Sequence, residues 1–382
     1  MPDLSVASCV DYAPEHCQAA LQAVLAPLGG LDWVHPGMRI GIKANLVSML
    51  RPERAGTTHP ALLAALSVQL RARGAEVVIG DSPGGLYNYT YVNRIYTATG
   101  MRTIADVQLN EDFSVKTAQM PQAWRAKTFS YTGYLDQCDA IINFCKLKTH
   151  GMMGMSAAAK NLFGVVPGTM KPEYHFRYPD PMDFAHMIVD LDEYFCPRLN
   201  LVDAVVGMEG NGPTSGTPRQ VGCLVAGTSA HAVDLLCAAL IGLPVDRIPT
   251  LRAAQERLLI PDSVEALEIA GDWRRFLIPD YKLLPGNKDT KFAGTGGVFG
   301  RIRSWLMQQA VGAEPVLKKY GCVGCAVCKK VCPAAAIQME QKRPKIDRRK
   351  CIRCFCCQEF CPEGALEVRR KPIARLLARE EV

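Results

Sequence analysis

The chain has 382 residues, with 44 Lys and Arg against 37 Asp and Glu, and its net charge is +7. Hydrophobic residues make up 48% of it and charged residues 21%, a globular composition that excludes a disordered chain. No apolar run reaches the roughly 20 residues of a membrane-spanning helix, and no basic stretch precedes an apolar one near the N-terminus, as a secretory signal requires. We therefore expect a cytoplasmic protein of about two or three domains.

The first part of the chain alternates segments of strand and helix character. A strand is predicted over Arg39–Lys43, a helix over Pro60–Arg73 that ends before Gly74, and a second strand over Ala75–Gly80. Further segments are predicted as strands at Asp139–Lys146, Leu199–Val206 and Val221–Ala226 and as helices at Asp183–Phe195 and His231–Ile241. This alternation is typical of an α/β fold with a mostly parallel sheet.

Polar side chains stand at or near the ends of several predicted strands. In open α/β sheets, ligands bind outside the carboxyl ends of the strands, so several strands deliver side chains to one edge. We predict a substrate site at this edge, formed by Lys43, Asn45, Asp81, Lys148, His150, Lys160, Asn161, Asp203, Glu209 and Asn211.

The segment from Lys146 to Gly164 carries the densest set of these groups. A strand ends in Lys148 and His150, and a glycine-containing loop then leads to a short helix predicted over Ser156–Phe163. Main-chain amides at a helix start, together with lysines, suit a phosphate or carboxylate. The structural alternative is that the lysines are solvated, Ser156 caps the helix and His150 is a structural histidine.

Nine of the 16 cysteines lie between Cys322 and Cys361, in two runs that both read C-x2-C-x2-C-x3-C-P. This is the bacterial ferredoxin pattern, in which three cysteines of a run hold one [4Fe–4S] cluster and the fourth ligates the other cluster. We predict two [4Fe–4S] clusters, one held by Cys322, Cys325, Cys328 and Cys361 and the other by Cys351, Cys354, Cys357 and Cys332. Structural zinc also uses paired cysteines, but it does not explain two such runs that each end in proline. Cys356 is left over.

The positive charge is concentrated at the C-terminus. Residues 321–382 contain 14 Lys and Arg against 7 Asp and Glu, so this segment carries the whole net charge of the chain. Thiolate-bound clusters are anionic, and we interpret the basic residues as compensation for that charge. An acidic docking partner and nucleic acid are the alternatives, of which nucleic acid is the less favoured.

These segments resemble the domain of unknown function 362 family, in its version with a C-terminal two-cluster ferredoxin module. The matching pieces, the most specific first, are Lys146–Gly151 with Lys160–Gly164, Ile42–Leu46, Thr58, Gly80–Ser82, Val202–Asp203 and Glu209–Pro213. The resemblance spans residues 38–370 and departs at Ala44, where the family is expected to have proline. It supports the domain boundaries and the positions of the site, and it implies no substrate.

The sequence therefore predicts four segments, with the cluster-binding part kept separate from the α/β part. These are an α/β domain over 1–282, a linker with a short helix over 283–312, a small α+β ferredoxin-like two-cluster domain over 313–370 and a basic tail over 371–382. No membrane-spanning segment is expected in any of them.

Our leading hypothesis is an iron–sulfur oxidoreductase that transfers single electrons through two [4Fe–4S] clusters to a small anionic substrate. His150 or Lys148 would supply a proton, while Lys43, Lys160 and Asn161 would hold the substrate. A ferredoxin, a flavodoxin or a reductase would be the redox partner.

Two alternatives stay open at this point. The first is an electron carrier or redox subunit whose α/β domain docks a partner protein. The second is a non-redox ligand- or metal-binding enzyme with sensory clusters, in which Asp81, Asp203 and Glu209 are oxygen ligands of a metal.

Overall fold

The computed structural model describes residues 2–284 and 313–370, and the predicted linker helix and basic tail lie outside these residues. The strands of the described part are β1 Leu4–Ser8, β2 Arg39–Lys43, β3 Glu76–Gly80, β4 Gln108–Leu109, β5 Val115–Gln119, β6 Thr128–Thr132, β7 Ala140–His150, β8 Gly154–Ser156, β9 Leu199–Glu209, β10 Thr217–Gly227, β11 Ile269–Ala270, β12 Ala313–Leu317, β13 Ile337–Glu340, β14 Arg343–Ile346 and β15 Leu366–Arg370. The helices there are α1 Pro14–Leu25, α2 Pro60–Arg71, α3 Tyr89–Ala98, α4 Ala158–Asn161, α5 Lys171–Arg177, α6 Pro181–Phe195, α7 Ala230–Leu240, α8 Pro249–Glu256, α9 Val327–Lys330 and α10 Cys356–Glu359. Over the same residues, no helix is both long and apolar enough to cross a bilayer.

One sheet of nine strands organises the described N-terminal part of the chain. Its order is β11-β1-β10-β9-β7-β2-β3-β4, and β8 pairs with β7 beside this path. The strands from β9 through β4 run parallel to their neighbours in that order, whereas β10 is antiparallel to both β9 and β1. The predicted α/β fold with a mostly parallel sheet is confirmed, and the antiparallel pairing of β1 with β10 is an addition that the sequence pattern did not reveal.

Helices cover both faces of this sheet, because successive residues of a strand point to opposite sides. On β7, Phe144 packs into a core with residues of α1 and α2 such as Leu21 and Leu66. Its neighbour Cys145 packs into a second core, with residues of α6 such as Ile188. Burial on both sides explains why the central strands read as continuous apolar runs.

The predicted elements match the structure closely, but some ends are displaced. β2 has its predicted bounds, and α2 ends at Arg71, three residues before Gly74, which has a φ of 82° that favours glycine. β7 continues to His150 and β9 to Glu209, because each goes on pairing with the antiparallel strand that follows it, β8 or β10. Lys148 and His150 therefore lie within a strand and not after one.

Residues 313–370 form the small α+β region that the cysteine runs predicted. β12 pairs with β15 and β13 pairs with β14, both antiparallel. The two cysteine runs share a local structure: α9 and α10 are equally long, and the residues before them, Ala326 and Phe355, both have a φ of 60°. The duplication seen in the cysteine spacing is thus also present in the backbone.

The C-terminal region is held against the large sheet domain by the loop after β9. Nδ2 of Asn211 donates to the carbonyl of Leu366 (3.1 Å), and its Oδ1 accepts from the amide of Val368 (3.2 Å). Gln358 of α10 donates to the carbonyls of Asn211 and Gly212 (3.1 and 3.3 Å). Side chains thereby satisfy main-chain groups across the contact, which a buried backbone requires.

We predict that Asn211→Ala loosens this contact. Without the side chain, the amide of Val368 and the carbonyl of Leu366 lose their partners, at a cost of about 1–3 kcal/mol. Hydrogen exchange of the β15 amides, measured on anaerobically purified protein, should therefore accelerate roughly tenfold or more. Asn211→Asp is the matched control, because it keeps the acceptor for Val368 and should retain part of the protection. Equal exchange in Asn211→Ala and the unmodified protein would contradict the assigned role.

Candidate functional site

A cleft opens at the carboxyl ends of β2, β3 and β7 and encloses about 460 Å³, including the part open to solvent. We name it the lysine cleft, since three lysines line it. Its polar walls include Asn45, Asp81, Ser82, Lys148, His150, Lys160, Asn161, Lys171 and Glu359. Six of the ten predicted site residues thus meet at the sheet edge where ligands of α/β proteins bind.

Lys43 does not line the lysine cleft, but it is paired with Asp81, which does. Nζ of Lys43 is 2.6 Å from Oδ1 of Asp81 and donates to the carbonyl of Ala44 (2.8 Å). The other carboxylate oxygen of Asp81 accepts from the amide of Leu46 (2.8 Å). Because β2 and β3 are adjacent parallel strands, this buried ion pair ties their carboxyl ends together.

A chain of four asparagine amides crosses the sheet below the cleft. Asn143 donates to Oδ1 of Asn200 (2.8 Å), and Asn161 donates to Oδ1 of Asn143 (2.8 Å). Asn45 in turn donates to Oδ1 of Asn161 (3.0 Å), and its own Oδ1 accepts from Nζ of Lys148. Since each amide is both donor and acceptor, removing one leaves its neighbours unpaired. This asparagine chain therefore fixes the position of the Lys148 ammonium.

Burial weakens the positive charge of the cleft lysines. Desolvation lowers the pKa of Lys148 to about 7. It also lowers the pKa of Lys171 to about 7, although Nζ of Lys171 donates to the carbonyl of Ser82. The pKa of Lys160 is lowered for the same reason. A bound anion favours the charged form of each lysine, so the cleft becomes most cationic when it holds an anion.

Phe163 stands between two of these lysines. Nζ of Lys160 lies 4.8 Å from the centroid of its ring, and Nζ of Lys171 lies 5.7 Å from it. Cation–π attraction of this kind partly offsets the lost hydration of an ammonium group. Within residues 2–284 and 313–370, no protein oxygen accepts a hydrogen bond from Nζ of Lys160, whose three donors stay available to a ligand.

His150 presents a neutral N–H group to the cleft. Its Nδ1 accepts from the amides of Met152 (3.2 Å) and Met153 (3.3 Å), so the proton of the neutral ring resides on Nε2. Nε2 lies 3.9 Å from Oε2 of Glu359 and has no hydrogen-bond partner in the described part of the chain. Burial, followed by the charge of Lys160, lowers the pKa of His150 well below its usual value. The side chain is therefore an uncharged donor at neutral pH.

The start of α4 is already occupied by a carboxylate. Asp234 of α7 accepts from the amides of Ala158 (2.6 Å) and Ala159 (3.2 Å). The prediction that these amides bind a ligand anion was wrong, as was the alternative that Ser156 caps the helix. The predicted helix is also shorter, because α4 passes into a 3-10 turn at Leu162–Val165. The groups that the cleft offers to an anion are therefore lysine side chains and not helix amides.

Two cleft residues, Lys171 and Glu359, were not predicted. Lys171 begins α5, which belongs to no strand end, so the strand-end rule could not find it. Glu359 lies inside the second cysteine run and reaches the cleft only because the C-terminal region docks there. The sequence held no signal for either position, since both depend on packing between distant segments.

Asp203 lies outside the cleft, in a buried polar cluster of its own. Its Oδ2 is 2.8 Å from Nζ of Lys146 and accepts from the amide of His59 (3.0 Å). Its Oδ1 accepts from the hydroxyl of Tyr12 (3.0 Å). These contacts tie β9 to β7, to the start of α2 and to the segment before α1. Asp203 therefore holds neighbouring elements together and does not face the cleft.

Glu209 and Asn211 also lie outside the cleft. Glu209 accepts from the amide of Lys282 (3.0 Å) and pairs with its ammonium (3.3 Å), while Asn211 holds the C-terminal region. The carboxylates of Asp81, Asp203 and Glu209 are therefore in three separate places, which contradicts the idea that they share a metal ion. Across residues 2–284 and 313–370, no three His, Cys, Asp or Glu side chains converge on a single ion position.

Two cavities in the C-terminal region are lined by the predicted cluster ligands. The first, of about 340 Å³, has on its walls Cys322, Cys325, Cys328 and Cys361. The second, of about 320 Å³, has on its walls Cys332, Cys351, Cys354 and Cys357, with the surplus Cys356. Each set takes three thiols from one run and the fourth from the other, as bacterial ferredoxins require. The thiols surround a cavity and do not meet at a point, an arrangement that fits a cubane cluster.

The second thiol cavity and the lysine cleft share α10 as a wall. Cys356 and Cys357 at its start line the cavity, whereas Glu359 at its end lines the cleft. The next residue, Phe360, packs so closely on Gly84 of the cleft wall that an added Cβ there would overlap its ring. A group bound in the cleft and a cluster in the second cavity would thus both adjoin one short helix.

Comparisons with known proteins identify the family. A family model described as "Domain of unknown function (DUF362)" matches residues 40–239. A thylakoid-associated protein of Synechocystis sp. is 33% identical over 269 residues, which cover 69% of this chain and 82% of that protein. The chain belongs to the DUF362 family. A second model, described as a 4Fe-4S dicluster domain, matches residues 314–362 of this DUF362 protein and supports iron–sulfur cluster binding by its C-terminal region.

Two solved structures share a more distant likeness with this DUF362 protein. The lactate racemase apoprotein of Thermoanaerobacterium thermosaccharolyticum has a TM-score of 0.40 at 13% identity, and the match covers 62% of this chain and 57% of that one. A protein from Thermotoga maritima has a TM-score of 0.36 at 13% identity, with 54% and 53% covered. The chain thus spans little more than half of either protein, and both TM-scores are too low to support a conclusion about fold or function.

We predict that Asp203→Ala destabilises the protein by about 3–5 kcal/mol, because it leaves the Lys146 ammonium buried without its counter-charge. Thermal unfolding under argon measures the loss. Adding Lys146→Met should recover most of it, and Asp32→Ala, which removes an exposed ion pair with Arg73, should cost less than about 1 kcal/mol. If Asp203→Ala instead left unfolding unchanged and abolished ligand binding in the cleft, Asp203 would belong to the site.

Proposed function

We propose that this DUF362 protein is an iron–sulfur oxidoreductase that passes single electrons through two [4Fe–4S] clusters to a small anionic substrate in the lysine cleft. The observation that carries the proposal is that α10 walls both the cleft and the second thiol cavity. Electron transfer slows steeply with distance, so a substrate beside the same helix as a cluster is favourably placed. Lysines that gain charge when an anion binds suit a carboxylate or phosphate as the substrate class.

The thiol cavities support a count of two clusters, one for each crossed set of four cysteines. When bound, the clusters supply one-electron transfer, at potentials that the surrounding charge and hydrogen bonds adjust. The chain contributes the thiolates, a partly buried setting for the second set and a cationic surface near the first. Lys and Arg in excess over residues 321–382 offset the negative charge of the thiolate-bound clusters.

Within the cleft, the side chains divide into binding and proton-donating groups. Lys160 and the Nε2–H group of His150 bind the anion, because both offer donors without a hydrogen-bond acceptor in the described part of the chain. Lys148 is the proton donor, since a pKa of about 7 is close to the working pH. A two-electron reduction then takes two electrons one at a time and two protons, one from Lys148 and one from solvent. Asn45 and Asn161 keep the donor in place through the asparagine chain.

The proposal also includes a redox partner and a cellular location. A ferredoxin, a flavodoxin or a reductase is proposed as the source of electrons, since single-electron chemistry needs a single-electron donor. The cytoplasmic location expected from the sequence stays a prediction, because the Synechocystis relative is described as thylakoid-associated.

We predict that a small carboxylate or phosphate reoxidises the dithionite-reduced protein. A panel of such anions, mixed anaerobically with the reduced protein, should contain at least one that restores the visible absorbance. Sulfate should compete with it, and Lys160→Met should slow the reaction roughly tenfold or more by removing a buried cation. Lys116→Met, on exposed β5, is the matched control and should change nothing.

The same reaction should depend on pH in a defined direction. Above about pH 7 the free Lys148 loses its proton, so the affinity for the anion should fall by up to about tenfold per pH unit and level off below pH 7. Lys148→Met should make this dependence shallower. If no anion reoxidises the protein while a carrier protein does, the electron-carrier alternative replaces this proposal.

We also predict that two cysteine variants lose the same cluster when their cysteines line the same cavity, even if the cysteines belong to different sequence runs. Cys332→Ala and Cys351→Ala should remove the same cluster signal from the electron paramagnetic resonance spectrum of the reduced protein, with iron falling from about eight to about four per chain. Cys361→Ala and Cys322→Ala should both remove the other signal, and Cys356→Ala should keep both. A Cys332→Ala spectrum that matched the Cys322→Ala spectrum would refute the crossed ligand sets.

A further inference from the structure

The two thiol cavities differ in their exposure to solvent. In the second cavity Cys354 and Cys357 are buried and the other two predicted ligands are half-buried, whereas in the first cavity Cys328 is buried and Cys325 is exposed. The second cavity adjoins the lysine cleft through α10, and the first does not line the cleft. One end of the cysteine module therefore meets the substrate site, and the other end is open to a second molecule.

Two large apolar side chains stand beside the exposed cysteine. Tyr320 is 73% exposed and Val323 is 65% exposed, and both lie in the loop that carries Cys322 and Cys325. Exposed apolar side chains that lie together inside a polar rim are more typical of a protein interaction site than of a surface that contacts only solvent. Aromatic residues in particular are enriched at the centre of such sites.

Cationic side chains surround this loop. Nζ of Lys319 is 5.2 Å from the centroid of the Tyr320 ring, and Arg343 donates to the carbonyl of Lys319 (3.2 Å). Lys342 packs against the loop, since a Cβ added at Gly324 would come within 2.8 Å of the Lys342 carbonyl oxygen. Three cationic residues thus lie beside an exposed apolar pair next to the first thiol cavity.

Acidic residues also lie here: Glu363 is on the wall of the first cavity, and Glu340 stands opposite Arg343 in the β13–β14 pair. Glu340 pairs with Lys345 (3.0 Å), so the charge of Glu363 leaves the three cations in excess. A surface of this kind attracts a negatively charged protein and raises the rate of encounter. We name it the first-cluster face, formed by the loop Tyr320–Cys325 with Lys319, Lys342 and Arg343.

We propose that the first-cluster face is the docking surface for an acidic one-electron carrier protein that reduces this protein. This rests on the proposed function, because it assigns the entry point for the electrons that leave through the lysine cleft. Each encounter moves one electron: the carrier is oxidised by one electron, the cluster of the first cavity is reduced by one, and no bond is made or broken. Tyr320 and Val323 form the apolar centre of the contact, and the cations form its rim.

Binding to a flavodoxin, an acidic flavoprotein carrier, tests the proposal without turnover. Quenching of the flavin fluorescence measures the affinity of oxidised flavodoxin for the anaerobically purified full-length protein. We expect the affinity to fall roughly tenfold or more between about 0.01 and 0.5 M salt, since exposed charges are screened over that range. The double variant K319E/K342E should weaken binding at least tenfold at low salt.

A matched double variant separates the local surface from the overall charge. K116E/K127E changes the net charge by the same amount on the exposed β5–β6 hairpin of the large domain, and it should bind flavodoxin almost as the unmodified protein does. Tyr320→Ser, which keeps all the charges, should weaken binding and leave its salt dependence unchanged. The visible absorbance and the unfolding temperature of each variant establish that it is folded and loaded. Equal losses in the two double variants, or binding that salt does not affect, would overturn the docking surface.

Measurements of the rate of reduction test the docking surface separately from the proposed function on which it rests. Flavodoxin hydroquinone should reduce the K319E/K342E variant at least tenfold more slowly, whereas reduced methyl viologen, a small dye, should reduce it at the normal rate. If viologen-reduced protein is reoxidised by a small anion but flavodoxin neither binds nor reduces it, the docking surface is wrong and the proposed function stands. If flavodoxin reduces the protein and no small anion reoxidises it, the proposed function is wrong and the docking surface stands.

Discussion

The need to partner buried ammonium groups shapes the whole carboxyl edge of the sheet. Moving an ammonium out of water costs several kcal/mol unless oxygen atoms replace the lost hydration. Lys43 and Lys146 meet this need with a carboxylate each, Asp81 and Asp203. Among the described residues, Lys148 meets it with two neutral carbonyl oxygens, those of the Asn45 side chain and of the Gly56 main chain. The first two lysines are thereby fixed in buried ion pairs, whereas the protonation state of Lys148 can change.

This division also explains how a single strand, β7, can contribute residues both to the apolar core and to the lysine cleft. Phe144, Lys146 and Lys148 alternate along β7 and therefore project from the same face. Phe144 belongs to the apolar core, Lys146 to a closed ion pair and Lys148 to the open cleft. Polarity thus increases along the strand toward its carboxyl end, where the helices no longer cover the sheet.

The parts of the structure that could be predicted are those set by local pattern or by covalent chemistry. β2 and α2 follow from short apolar runs with clear boundaries, and the crossed cysteine sets follow from spacing that a cubane demands. Asp81 and Asp203 looked equivalent in the sequence, because each accompanies a strand. Only the packing of distant segments separates them, by placing Tyr12 and Lys146 beside Asp203.

The same limit accounts for the residues that were missed. The extension of β7 depends on pairing with β8, and the cap of α4 comes from Asp234 on a helix far along the chain. Lys171 and Glu359 enter the cleft from segments with no strand-end pattern. Apart from the local β7–β8 pairing, each of these features is a contact between regions remote in sequence, for which no periodicity or motif exists.

The position of Glu359 has a consequence for how the protein matures in the cell. Its helix, α10, carries two of the cysteines beside the second cavity and reaches the cleft only as part of the folded cysteine module. A newly made chain that has not yet received iron and sulfide lacks the bonds that hold this helix in shape. The lysine cleft then lacks one of its walls, so its assembly depends on insertion of the clusters and therefore on the supply of iron.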